Sequence, residues 1–231
     1  MKSFLSNAIF AAAIFGIAPA HALDCAKLAD VPSHGFCAMP HAWPGVELKQ
    51  TVQGNKSNTA AVFTTPVTPA QKTWNAEAEK QLGYENLKNE QAWSGANLTY
   101  NFSSPTLIAG LINTANGAPN LRVNWNAKAI NLHAPSGEPL LISEVLKPDA
   151  LEPLAARCMA QAPEGTEFKE HERELVKGRM LSMQSWNISP KGAQILLPPF
   201  SLGGASQPFY GCSFTAKDLK PYVLASFELW H

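Results

Sequence analysis

The chain has 231 residues, 45% of them hydrophobic and 16% charged, and its 18 basic and 18 acidic side chains give a formal net charge of zero. A balanced chain has no basic field with which to hold nucleic acid by counterion release. Beyond its first segment it has no apolar run of about 18 residues, the length a bilayer span needs.

The first residues set the expected compartment. Lys2 is followed by the apolar run "FLSNAIFAAAIFGIAPA" and by the small-x-small signal "AHA" at 20–22. Residues 1–22 therefore read as a secretory signal peptide cleaved after Ala22, with the periplasm as destination. An uncleaved membrane anchor is the alternative, and the shortness of the apolar run argues against it. Asp24 stands before Cys25, where a lipoprotein signal wants Gly or Ala.

Export bears on the four cysteines. An even count in an exported chain implies disulfides, and four cysteines allow three pairings. Cys25–Cys37 with Cys158–Cys212 is the preferred set, because the first two are near in sequence and a short loop closes easily. Cys25, His34, Cys37 and His41 could also bind zinc, but their spacing fits no common finger. Disulfides are the favoured reading, and no metal or cofactor is expected.

Residues 23–45 read as a disulfide-tied arm. "VELKQTVQ" at 46–53 alternates as a strand does, and "AAVFTT" at 60–65 is a second short strand. A helix follows over 69–82. Thr68 caps it, Pro69 suits its first position, and Gly83 ends it. Ala70, Trp74, Ala78 and Leu82 form one apolar stripe, so the helix should lie on a sheet with Trp74 in the core. Strands are expected at 96–105, where Leu98, Tyr100 and Phe102 alternate, and at 106–114. Asn116-Gly117 signals a hairpin. The return strand carries Leu121, Val123 and Trp125 on one face and, after a slip of phase, Ile130 and Leu132. "PSGE" at 135–138 makes a turn. The glycosylation-type triplets at Asn97, Asn101 and Asn187 read as chance.

A second helix is expected over 148–161, with Leu151, Leu154, Ala155, Cys158 and Met159 on its buried face. Residues 164–178 are charge-rich. Glu170, Glu172 and Glu174 beside His171 suggest acid–base chemistry, but a solvated helix face with local ion pairs is the favoured reading. "MQSWNI", "AQILLPP" and "QPFYGCSF" then make a three-strand meander, split by the "SPKG" turn and the "FSLGGAS" loop. Gly203-Gly204 leads into a strand, so it is no phosphate cradle. Thr215 caps a short closing helix with Asp218 as its capping-box partner. The expected fold class is α+β: an antiparallel sheet, partly a meander, with the helices 69–82 and 148–161 packed on one face and a disulfide staple.

The order "PLLISEVLKPDAL…LA", then "W-x-IS-x-KGAQILLPPFSLGG…FYGC-F", then "DLKPY", resembles the C-terminal extracellular domain of RsiV-type proteins. That domain of unknown function also accompanies some peptidoglycan deacetylases. The resemblance covers about residues 105–224, and 46–104 reads as an N-terminal α/β portion continuous with 105–231. Two departures stand out. The family's turn histidine is missing from Asn116–Asn120, and Pro199-Phe200-Ser201 replaces its Pro-Tyr-Glu.

The resemblance implies a domain that recognises lysozyme. The family's anti-sigma activity also needs a cytoplasmic segment and a transmembrane helix, so with residues 1–22 read as a cleaved signal peptide that activity is not expected. The expectation is an exported, non-catalytic binding protein of the cell envelope, with a lysozyme-type protein or peptidoglycan as partner. Pro198, Phe200, Leu202, Phe209 and Tyr210 are its candidate surface, although Phe200 and Phe209 also suit a core. An envelope hydrolase or deacetylase-related enzyme, and a structural accessory subunit, are the alternatives. For an enzyme, His133 and His171 are the mid-chain histidines, and neither sits in a recognisable motif.

Overall fold

The computed structural model describes residues 23–24, 37–38, 44–53, 56–84, 93–117, 124–162, 164, 166–197 and 211–231. The signal-peptide segment, Cys25, and the loop bearing Pro198, Phe200, Leu202, Phe209 and Tyr210 lie outside them. So do Leu121, Val123 and the side chains of Cys37 and Trp125. Two short strands, β1 (Leu23–Asp24) and β2 (Cys37–Ala38), pair in parallel.

The main sheet has five strands in the order β3-β4-β5-β6-β7. They are β3 (Val46–Gln53), β4 (Lys56–Phe63), β5 (Trp93–Ser103), β6 (Leu107–Gly117) and β7 (Asn124–His133). Helix α1 (Pro69–Leu82) connects β4 to β5. Its capping box is closed: Gln71 N donates to Thr68 Oγ1 at 3.2 Å, and Thr68 N donates to Gln71 Oε1 at 3.1 Å. The stripe of Ala70, Trp74 and Ala78 is buried on the sheet. Trp74 is fully buried, and its Nε1 donates to Ala61 O at 2.8 Å. Phe63 and Tyr100 meet its ring edge to face. Gly110 makes room for the indole, since a Cβ there would stand 2.2 Å from Trp74 Cη2. Asn58 ties down the helix end, donating to Leu82 O and Tyr84 O and accepting from Ala96 N, each at 2.9 Å.

A bulge in β5 then changes which way the chain faces. Tyr100 pairs with Gly110 but Phe102 pairs with Ala109, so Asn101 is the extra residue. Tyr100 therefore packs under α1, whereas Phe102 joins Leu107 and Ala109 in a second core on the opposite face. That core belongs to helices α2 (Leu151–Met159) and α3 (Glu170–Met180) and to a small antiparallel sheet. The small sheet is a meander of β8 (Trp186–Ser189), β9 (Gly192–Leu196) and β10 (Gly211–Thr215), closed by α4 (Ala216–Leu219). Gly192 turns between β8 and β9 at φ +147, and a Cβ there would lie 2.0 Å from Phe214 O. Cys158 of α2 is disulfide-bonded to Cys212 of β10, with both buried.

The α+β class and the Cys158–Cys212 staple match the sequence reading, and several details are corrected. β4 and β5 pair in parallel, because α1 crosses over the sheet and returns the chain in the same direction. α1 packs on one face of the main sheet and α2 belongs to the core on the other, because β6 is apolar on both faces: Ile108 and Ile112 join the first core, Leu107 and Ala109 the second. Asn116-Gly117 is no two-residue hairpin, since Asn116 still pairs with Asn124 and the connection lies beyond it. The strand read at 60–65 begins at Lys56, and the helix read at 148–161 shortens to Leu151–Met159. Glu172, read with the solvated face, is buried because its Oε2 accepts from Lys169 N at 2.8 Å and caps α3. Lys177 pairs locally with Glu174 at 2.9 Å, as expected, and also reaches Glu152 of α2 at 2.8 Å, which was not.

Candidate functional site

β7 is an edge of the main sheet, and the described residues cover only part of its outer side. Near its end His133 N donates to Glu138 O, and Leu140 N donates to Asn131 O, both at 2.9 Å. Those bonds set the alternation: odd-numbered residues of β7 turn their backbone groups away from β6. Ala127 is one of them. Among the described residues no hydrogen bond ends on its outward N–H or C=O.

Facing this uncovered stretch are α3 and the turn Met183–Ser185, which leave a groove of about 410 Å³. The space falls within the range of ligand sites, about 300–1,000 Å³. A second hollow, beside Asn187 and Gln194, holds about 10 Å³, roughly one water's worth of room.

The groove wraps around the strand edge. Asn126 and Lys128 border it from one face of β7 and Ala127 from the other. The far wall carries Leu175, Gly178, Arg179 and, after the helix, Gln184. Lys128 and Arg179 are exposed, and neither has an ion-pair partner among the described residues. Among the described residues, none that lines the groove is acidic. A glycine within a helix costs about 1 kcal/mol relative to alanine. Packing does not require one at 178, where a Cβ would meet nothing within 4 Å. Its effect is to keep the wall low.

The groove depends on the second core for its far wall. Asn131 of β7 donates through Nδ2 to Met183 O at 2.9 Å and Trp186 O at 2.8 Å, holding the turn against the sheet. Trp186 Nε1 reaches back to Met180 O at 2.8 Å, at the end of α3. Asn101 Nδ2 donates to Asn187 Oδ1 and joins the β5 bulge to β8. Two of the three glycosylation-type asparagines thus bond to each other, and Asn187 is buried.

The mid-chain histidines stand apart from the groove. His133 Nε2 lies 3.0 Å from Glu144 Oε2. The Glu144 carboxyl is held below its ordinary range by the Leu141 N–H first and by His133 second. His171 is exposed on α3. Among the described residues no three His, Cys, Asp or Glu side chains converge as metal ligands, and no helix is long and apolar enough to cross a membrane. Sequence reasoning missed the groove, whose residues come from β7 and from a segment some fifty positions on. Gly178, unexplained inside a charged helix, was the signal that could have pointed to it.

No family model matches the chain, and no curated protein matches it. Solved structures do. A member of the DUF3298 family from Bacteroides fragilis superposes with a TM-score of 0.55 at 10% identity, over 80% of this chain and 96% of that one. A DUF3298 family protein from Pseudomonas aeruginosa superposes with a TM-score of 0.43 at 11% identity, over 78% and 93%. At such identities the first likeness shows the fold the two chains share.

Proposed function

We propose that this chain is an exported, non-catalytic binding protein of the cell envelope, and that its ligand lies in the groove beside β7. The observation that carries the reading is the groove's construction. It joins a strand edge to two cations, all without partners among the described residues, which suits holding a partner more than moving a proton. The signal-peptide pattern of residues 1–22 supports export to the periplasm. The resemblance of residues 105–224 to the RsiV-type domain supports a lysozyme-type protein or peptidoglycan as the partner. The loop with Pro198, Phe200, Leu202, Phe209 and Tyr210 is the second candidate surface.

Calorimetric titration of the oxidised chain tests this, with c-type and g-type lysozymes and soluble peptidoglycan fragments as probes. Saturable binding of at least one probe is expected, and it should be lost in Gly178→Trp, which fills the groove. Loss in Phe200→Ala/Tyr210→Ala alone would move the site to the loop. No saturation with any probe would overturn the reading.

A further inference from the structure

We infer that the β7 edge is a strand-addition site, and that its occupant is an extended polypeptide segment of a partner protein carrying carboxylates. The inference deepens the binding reading above and rests on it.

Three features of the groove converge on this occupant. The first is the backbone. Ala127 turns an N–H and a C=O out of the sheet, and the described residues leave both unmet. An extended peptide meets such groups with its own main chain and becomes the next strand of the sheet. A glycan or a compact ligand has no matching row of alternating donors and acceptors. The second feature is shape. The space follows the strand, because residues from both faces of β7 border it, and Gly178 keeps α3 clear of the path. Side chains of an added strand alternate in direction, so they would point by turns towards the Lys128 side and towards the α3 wall.

The third feature is charge. Lys128 and Arg179 flank the groove on its two walls, exposed and unpaired among the described residues, with no acidic residue along the lining. An added strand with acidic side chains would meet a cation on each side, whereas a basic one would meet like charges. Natural sheets often protect an edge with lysine against indiscriminate pairing. Lys128 would therefore admit acidic strands and turn others away. The opposite edge, β3, shows why charge matters. It exposes Leu48 and Val52, but Glu47 and Lys49 are paired with each other, so it expresses no preference of sign.

The test selects a displayed library of random twelve-residue peptides on the oxidised chain. It then measures the selected peptides against the parent chain, Ala127→Pro and Gly178→Trp. Proline at 127 replaces the outward N–H with its ring and leaves the β6 ladder in place. Gly178→Trp blocks the groove from the other wall without touching the strand, so the test survives if the proline variant folds poorly. Selected peptides are expected to carry Asp or Glu at alternate positions and to bind each variant about tenfold or more weakly, the equivalent of losing one or two hydrogen bonds. They should also slow amide exchange at Ala127. Peptides without acidic enrichment, peptides that bind both variants as they bind the parent, or failure to select any peptide would overturn the inference. A lysozyme or peptidoglycan fragment that titrates the parent and Ala127→Pro alike would remove strand addition but leave the envelope-binding reading standing.

Discussion

On one face of the main sheet, α1 lies down directly after the strand it covers. Its core is drawn from residues 60 to 134 and is closed by Trp74, Phe63 and Tyr100. On the other face, the core is assembled from Phe102 to Trp230. It is fastened by a disulfide and by polar side chains that reach backbone carbonyls across long separations: Asn131 to Met183 and Trp186, and Trp230 to Ser189. The first layer is held by packing that neighbouring residues can supply. The second also buries an apolar core but adds ties over longer separations, and the groove's far wall belongs to it.

If packing around the indole is the main hold on the first layer, Trp74→Ala is the largest single loss. A cavity of that size costs about 3–5 kcal/mol, read as a shift in the denaturant midpoint. The disulfide should matter almost as much to the second layer. Replacing Cys158 and Cys212 together by Ala should cost about 2–5 kcal/mol, since the bond closes a long loop of the unfolded chain. The separation of the two cysteines is 54 residues. Asn131→Ala leaves two buried carbonyls without their donor and should cost about 1–3 kcal/mol, with weaker protection in the turn Met183–Ser185. A small loss there would mean that the turn is held by packing and that the two layers differ less than described.

The smallest effect is a pH dependence. The Asp218 carboxyl is held below its ordinary range, by the Thr215 hydroxyl first and the Arg157 guanidinium after it. Its folded pKa is depressed, so its contribution is present above the unfolded value of about 4 and is lost as pH falls through the folded one. Asp218→Asn should therefore be less stable than the parent at pH 6, and the difference should shrink as the pH is lowered past about 4. A difference that stayed constant down the titration would place the effect in packing of the cap instead of in charge.

The contrast between the layers also explains what the sequence made legible. α1 announced itself through a cap, a proline, a four-residue stripe and a terminal glycine, all local signals. Cys158 was legible as a buried helix position, which agreed with the staple already preferred from the closeness of Cys25 to Cys37. The parallel pairing of β4 with β5 was not legible, because strand direction depends on the path of the crossover and not on alternation within either strand. The bulge at Asn101 was hidden for a similar reason: Leu98, Tyr100 and Phe102 alternate without a break in the sequence. Only the pairing with β6 shows that Phe102 has changed sides. The groove was least legible of all, since none of its residues is unusual except Gly178. The candidate surface chosen from sequence was a run of apolar loop residues instead, where composition stood out.

The most direct test of two differently held layers is native-state amide exchange on the oxidised and the reduced chain. Reduction should strip protection from β8, β9, β10, α2 and α3 while β4, β5 and α1 keep theirs, and the groove's wall should loosen with the second layer. Uniform loss of protection across both faces, or none at all, would contradict the account.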